Sequence, residues 1–339
     1  MNSSQELAET EDRVARWIKQ ANFSSETKIE FLAGDASDRR FARVIPPKSR
    51  TSILVVHNNS IDPTQLPLLQ VTELFRKLPV NVPTIHSIAP ELGIVVLEDL
   101  GDTTLESAVS TSTKEQRTSY YQEAVNIIGT IQRGSRQSST TENIAFSVAF
   151  DFDKLLLELN FFVQHFLVNY LGCSVPRKAQ EHLDTEFHKL ASEMSQEARV
   201  LCHRDFHSRN LMLHKSRLYV IDLQDARMGP DTYDLASLLR DSYMELPTEE
   251  VEQLLGLYSQ LMNVSDTAAF RERFIRTSLQ RNLKALGTFG HQIAVKGKPR
   301  YSEAIPLTLK YLQKTLSEEP RYQHLYKTLS TLVPELTPS

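Results

Sequence analysis

Three polar residues in the second half of the chain have the types and order that a phosphoryl-transfer site requires. His203-Arg204-Asp205-Phe206-His207-Ser208-Arg209-Asn210 is followed, after a short strand-like run, by Ile221-Asp222-Leu223-Gln224-Asp225. Moving a γ-phosphoryl group asks for little covalent chemistry from a protein. It needs a carboxylate that orients and deprotonates the attacking hydroxyl, and oxygen ligands that hold Mg²⁺ on the nucleotide. Asp205, Asn210 and Asp222 supply those groups. The loop from Asp205 to Asn210 is long enough for both side chains to face one phosphate while the backbone turns between them. Asp222 follows Val220-Ile221, so an apolar strand would deliver its carboxylate to a cleft.

The elements that must position these groups are legible in the hydrophobic pattern. Leu7, Val14, Trp17 and Ile18 share one stripe of an N-terminal helix over residues 7–20. Ile29 to Leu32, Phe41 to Ile45 and Ser52 to Val56 read as short strands, and Gly34-Asp35-Ala36-Ser37 and Pro46-Pro47-Lys48-Ser49 as the turns between them. A helix over 64–78 and a strand over 93–97 follow. The first part is read as five strands, four of them placed here, and one helix, an antiparallel meander. Long amphipathic helices over 113–133 and 151–171 flank a Ser/Thr-rich linker, 134–141, and helix then dominates to the C-terminus. This is an α+β arrangement of two lobes: residues 1–98 as a small nucleotide-binding lobe, 99–102 as a hinge and 103–339 as a mainly helical lobe with the catalytic loop, metal site and acceptor pocket. An interlobe cleft along Glu98 to Asp102 is the expected ligand site.

Size and composition agree with such an enzyme. At 339 residues the chain exceeds the usual single core, and 40% hydrophobic with 24% charged residues is ordinary for a globular protein. No apolar run has the length of a membrane span, and the acidic N-terminus is not a secretory signal, so a cytoplasmic protein is expected. Two cysteines, Cys173 and Cys202, exclude a disulfide framework and read as buried small hydrophobes. A net charge of -4 gives no electrostatic case for nucleic acid. The expected partners are ATP and a small molecule.

The spacing His203-x-Asp205-x4-Asn210, with Ile221-Asp222 and Asp234-Leu235-Ala236, resembles the aminoglycoside phosphotransferase and kinase-like superfamily. Leu97-Glu98-Asp99-Leu100-Gly101 resembles its interlobe hinge. Gly34-Asp35-Ala36-Ser37-x-Arg39-Arg40-Phe41 and Asp222-x-Gln224-Asp225-Ala226-x3-Gly229-Pro230-x2-Tyr233-Asp234 are similar to bacterial anomeric sugar kinases, which phosphorylate N-acetylmuramate or N-acetylglucosamine at C1 during peptidoglycan recycling. The resemblance implies a protein-kinase-like fold, ATP and Mg²⁺, Asp205 as catalytic base, Asn210 and Asp222 as Mg²⁺ ligands, and backbone groups around Glu98 to Leu100 on the adenine. His203 would hold the loop. Asp234 would cap the following helix and brace the catalytic loop, and Asp225 would be either an acid behind the metal ligands or an outer ligand.

One departure concerns the phosphate-gripping cation. The kinase-like pattern places a lysine on the third strand, but that strand here reads Ile53-Leu54-Val55-Val56-His57. Arg39 or Arg40 is the expected replacement, since arginine grips phosphate oxygens bidentately, with Ser37 and backbone N–H groups of its loop alongside. Without the lysine, Glu73 falls to a surface role. Acceptor residues are set by no motif. Glu158, Phe161 and His165 fall on one face of the 151–171 helix and would bind sugar hydroxyls or form an ordinary amphipathic edge. Arg204 would pair with an anionic substrate group or with a nearby acid, and His207 would bond sugar or fill space. Arg281 could meet a lactyl carboxylate. Other small alcohols, such as an aminoglycoside, choline or a hydroxylated amino acid, are the alternative acceptors, and a non-catalytic binding module is the reading from another class. No Ala-Pro-Glu segment follows Asp222, which sets the chain apart from protein kinases.

Overall fold

A computed structural model of the chain describes residues 3–32, 39–137 and 143–337. The loop carrying Gly34, Asp35, Ala36 and Ser37 therefore lies outside the described residues. Helix α1 (Ser3–Gln20) precedes strands β1 (Lys28–Leu32), β2 (Arg40–Ile45) and β3 (Ser52–Val56), helix α2 (Pro67–Lys77), and strands β4 (Ile85–Ala89) and β5 (Ile94–Glu98). The strands form one sheet in the order β1-β2-β3-β5-β4, with every neighbouring pair antiparallel. The unplaced fifth strand is β4. A register shift between Ile85 and Ser87 disrupts the alternation that identifies the others.

Period-two alternation gives the sheet two different faces. Ala42, Val44, Leu54, Val56, Ile94 and Val96 point one way and share a core with Val14 and Trp17 of α1. Leu7 is exposed, contrary to the stripe expected for it, because the buried face of α1 begins at Thr10. On the other face Val55 and Val95 pack with Leu68, and Phe41, Arg43, Ile53, Val55 and Leu97 roof a cleft. Helix α2 starts later than the pattern indicates. Asp62 Oδ1 accepts the Thr64 N–H in a local turn, and Pro67 then opens the helix. Its Leu68 joins the sheet, whereas Val71, Leu74 and Phe75 belong to a core with Leu201, Phe206 and Val220. One helix thus ties both halves together.

The remainder runs through α3 (Leu105–Ser110), α4 (Lys114–Gln137), α5 (Ile144–Ser147), α6 (Phe152–Phe162), a π-helix (Val163–Tyr170), α7 (Arg177–Ser195), β6 (Arg199–Cys202), β7 (Leu211–His214), β8 (Arg217–Val220), β9 (Arg227–Pro230), α8 (Tyr233–Leu239), α9 (Thr248–Leu261), α10 (Thr267–Ala294), α11 (Ile305–Glu318) and α12 (Gln323–Leu332). Two short two-stranded sheets, β6-β9 and the hairpin β7-β8, carry the loops with Asp205, Asn210 and Asp222. Part of the expected linker at 134–141 is helix, since α4 continues to Gln137 with Gly134 against Leu78. Cys202 is buried and Cys173 half-buried. No described helix is long and apolar enough to cross a membrane.

Helix α10 is the spine of this lobe. Its buried face lies directly on α6 and the π-helix, where a Cβ on Gly287 would stand 2.8 Å from the Phe162 amide nitrogen and one on Gly290 would stand 2.3 Å from the His165 carbonyl oxygen. Neither neighbour is a flexible side-chain tip. Glycine at these two positions therefore sets the distance between the helices, and with it the placement of every cleft residue on α10.

Candidate active site

The loop after β6 is held from behind. Asp234, fully buried near the start of α8, accepts the His203 N–H at 2.7 Å and the Arg204 N–H at 2.9 Å. Thr232 is the N-cap of α8, so Asp234 braces the loop without capping the helix. Burial pushes its carboxyl up from the ordinary value, while His203 and the two N–H donors oppose the rise. The His203 ring nitrogen Nε2 meets the Ile221 carbonyl at 2.9 Å, linking the catalytic loop to the strand end before Asp222. Arg204 adopts φ +84° and Asp222 φ +64°, both in the left-handed region, so two non-glycine residues at the centre of the site hold strained backbone.

Asp205 faces the cleft with a quarter of its side chain exposed, and Lys284 Nζ lies 2.7 Å from its Oδ1. Arg281 Nη2 stands 3.8 Å from the same oxygen and Arg204 Nε 3.7 Å from the other. Burial would raise the carboxyl, but Lys284, Arg204 and Arg281 outweigh it and hold Asp205 well below the ordinary carboxylate range. The side-chain amide nitrogen of Asn210 donates to the Asp205 carbonyl at 2.9 Å, so Oδ1 is the atom Asn210 could offer to a metal. Asp222 is partly exposed and lines the same cleft. One amide oxygen and one carboxylate are hard donors of the kind Mg²⁺ takes when nucleotide phosphates and water complete its shell. The residues fit that ion.

Arg39 Nη2 pairs with Asp222 Oδ1 at 3.1 Å, and its Nη1 donates to Gln224 at 2.9 Å. It thus reaches across the cleft from the roof to the metal side. Arg40, one residue on, is absent from the cleft lining, as alternation along β2 requires. A cation that sequence reasoning missed is Arg43, two positions beyond Phe41 on the cleft face. Its Nε lies 2.8 Å from Asp99 and its Nη2 2.7 Å from Asp102, tying the sheet to the segment after β5.

The cleft encloses about 760 Å³ and runs along Leu97 to Asp102, as expected. Phe41, Ile53, Val55 and Leu97 above and Met212 below make an apolar slot suited to a purine. The Glu98 N–H is taken by the Thr84 carbonyl at 2.8 Å and so is not available to a base. The Leu100 carbonyl accepts from His214 at 3.0 Å, while the Leu100 N–H has no partner among the described residues.

At the far end, Tyr243, Phe289 and Tyr301 form an aromatic wall beside His207, Thr288 and Asn282. Tyr301 brings the C-terminal segment, to which the sequence assigned no chemistry, into the cleft. Burial lowers the His207 imidazole to about 3, so it is neutral. Arg204 pairs with acids, Asp225 at 2.8 Å and Glu158 at 3.8 Å, the second of its two expected roles. Asp225 also faces Arg227 and lines the cleft. Glu158 does not reach the cleft. It is buried behind Arg204, bonded to Gln280 at 3.0 Å and paired with Lys154 at 3.2 Å. His165 also lies elsewhere, packed on Phe161 and edge-on to His291, because the chain widens into the π-helix at Val163 and the assumed helical phase ends there. Arg281 lines the cleft but donates to the Arg204 carbonyl at 2.6 Å and stacks on Tyr233, so it supports the loop. Glu73 is exposed and paired with Lys77.

An antiparallel sheet roofing a cleft over a helical lobe, with Asp205, Asn210 and Asp222 below it, is the architecture of kinase-like phosphotransferases. Residues 28–272 match the model of the phosphotransferase enzyme family, APH, and the chain belongs to that family. It is 30% identical to the N-acetylmuramate/N-acetylglucosamine kinase of Neisseria meningitidis serogroup B over 95% of each chain. The enzyme of the same name from Pseudomonas aeruginosa is 27% identical over 88% of this chain and 87% of its own. Among solved structures, a choline/ethanolamine kinase family protein from Mesorhizobium loti superposes with a TM-score of 0.62 at 13% identity, covering 95% of this chain and 99% of its own. Amicoumacin kinase in complex with AMP-PNP, Ca²⁺ and Ami gives 0.62 at 14% identity, covering 92% and 96%. The chain is an ATP-dependent phosphotransferase that acts on a hydroxyl group.

Proposed function

We propose that the protein is an ATP- and Mg²⁺-dependent kinase of an amino sugar, phosphorylating the anomeric C1 hydroxyl of N-acetylmuramate, N-acetylglucosamine or both. Residues 1–98 serve as the nucleotide lobe, 99–102 as the hinge and 103–339 as the acceptor lobe. The observation that carries this reading is that the Asp205 carboxylate lines one cleft with Asn210 and Asp222 and with the aromatic residues Tyr243, Phe289 and Tyr301. The kinship to two enzymes named for these sugars supports it.

The chemistry follows from the residues. Asp205 accepts the proton of the acceptor hydroxyl as its oxygen attacks the γ-phosphorus, and ADP leaves with the electrons of the broken bond. A carboxylate held well below its ordinary range is a weak base. It suits an anomeric hydroxyl, which the ring oxygen makes more acidic than an ordinary alcohol. Asn210 Oδ1 and Asp222 would hold Mg²⁺, which would supply charge neutralisation at the phosphate oxygens. Asp234 and His203 keep the loop in place, and the aromatic wall covers the apolar face of a sugar ring.

The test is an ATP-consumption assay with N-acetylglucosamine, N-acetylmuramate, free hexoses, aminoglycosides and choline, with the product's phosphate position read by NMR. Turnover of the amino sugars with phosphate on C1 is expected. Preferred turnover of choline or an aminoglycoside, or phosphate on another carbon, contradicts the proposal.

A further inference from the structure

The chain lacks the strand lysine of its fold, yet a lysine stands at the reacting centre. Lys284 is the only lysine among the described residues that line the cleft. Its side chain is 15% exposed, with Nζ 2.7 Å from Asp205 Oδ1. The other cations nearby are held by partners of their own: Arg43 by Asp99 and Asp102, Arg204 by Asp225, and Arg281 by the Arg204 carbonyl. An ammonium has three donors, and Asp205 Oδ1 takes one.

We infer that Lys284 is a catalytic residue of phosphoryl transfer, donating one proton's hydrogen bond to Asp205 and another to an equatorial oxygen of the γ-phosphoryl group. The inference rests on the kinase reading above, but not on which hydroxyl is the acceptor. Where Asp205 takes the acceptor's proton, the attacking oxygen and the γ-phosphorus meet, and charge spread over the equatorial oxygens lies next to the base. A cation fixed there before reaction stabilises that charge without reorganising. The packing supplies the fixity. Gly287 and Gly290, on the turns after Lys284, seat α10 directly on the backbone of Phe162 and His165, and Arg281, one turn earlier, anchors the helix to the catalytic loop. A mere counter-charge for Asp205 needs no such seating. In the reaction the acceptor's O–H proton passes to Asp205, the new O–P bond forms, and the bond to the bridging oxygen breaks towards ADP. Lys284 keeps all its protons.

The test compares Lys284→Ala, Lys284→Met and Lys284→Arg with the wild type. It measures kcat and both KM values, AMP-PNP affinity by calorimetry, and slow ATP hydrolysis with water as acceptor. For Lys284→Ala we expect kcat to fall about 10²- to 10³-fold, with AMP-PNP affinity within about threefold of wild type. Added methylammonium or ethylammonium should restore at least about tenfold with saturation, and Lys284→Arg should retain part of the rate. If the alanine variant is poorly folded, Lys284→Met keeps the buried stem and carries the same measurements. A kcat within about fivefold of wild type, a loss confined to the acceptor KM, or no amine rescue in a variant of unchanged melting temperature overturns the inference. Failure of the wild type to use amino sugars contradicts the proposed acceptor alone, because the hydrolysis assay still reads Lys284.

Discussion

Replacing Asp234 by alanine probes how the catalytic loop is held. The carboxylate is fully buried and accepts two backbone N–H bonds, from His203 at 2.7 Å and Arg204 at 2.9 Å. Bonds to a charged acceptor contribute about 1.5–3 kcal/mol each, so their loss costs about 3–6 kcal/mol. Removing a buried charge offsets part of this, and a net loss of about 4 kcal/mol is expected, a large share of the roughly 5–15 kcal/mol that holds a domain folded. Asp234→Asn keeps one acceptor oxygen and should lose about half as much. Catalysis should suffer as well. Without the brace, the Arg204 backbone at φ +84° can relax, and a displacement of Asp205 of about 1 Å is worth about 10² in kcat. Urea unfolding with a common m-value, read beside kcat on the same preparations, makes the test. A loss below about 1 kcal/mol with kcat unchanged would refute the reasoning.

Other consequences follow from single contacts. Arg39→Ala should raise the KM for ATP by about tenfold or more, while Arg40→Ala stays within about twofold, because only Arg39 lines the cleft; equal effects in steady-state kinetics would contradict this. Gly290→Ala sets a helix-propensity gain of about 1 kcal/mol against a Cβ driven onto a backbone carbonyl, an overpacking cost of about 1–3 kcal/mol or more. With a contact of 2.3 Å the cost should win, lowering the melting temperature and kcat together. Asp241, buried and opposed by the N–H donors of Ser208 and Tyr243, is pushed up by burial to about 6. The folded state then holds this proton more tightly than the unfolded chain, whose carboxyl titrates near 3.9. The group's contribution is therefore full below about pH 4 and lost as pH rises to about 6, by about 3 kcal/mol. Asp241→Asn should remove that slope from the pH dependence of unfolding free energy; parallel curves for variant and wild type would contradict it.

The convergence of Asp205, Asn210 and Asp222 on one cleft was legible because their spacing is local. A loop of a few residues, then a strand end, brings Asp205, Asn210 and Asp222 together with no knowledge of the wider fold. The strands of the five-stranded sheet were legible from their short apolar runs, except β4, whose register shift breaks the pattern; β9 at Arg227–Pro230 was not read as a strand. The acceptor end was not legible. Its wall comes from α10 and the segment at Tyr301, and Lys284 meets Asp205 across 79 positions of chain. A signal was present nonetheless: Lys284 lies one turn after Arg281 and one turn before Gly287 on a helix whose neighbours are buried. A cation there needs an acid from elsewhere. His165 was misplaced because it was projected on an ideal helix, and the chain leaves that geometry at Val163. Glu158 lies in α6 before that point and is turned away from the cleft onto Arg204 and Gln280. Arg43 was overlooked although alternation puts it on the face of Phe41, since only the folded chain brings Asp99 and Asp102 beside it.

The central claim is that Asp205 takes the acceptor's proton in a cleft built for phosphoryl transfer, and single-turnover kinetics of Asp205→Asn tests it most directly. The substitution keeps the shape of the side chain. The account predicts a chemical step slowed about 10³-fold or more with AMP-PNP and acceptor binding near wild type. A step within about tenfold of wild type would contradict it.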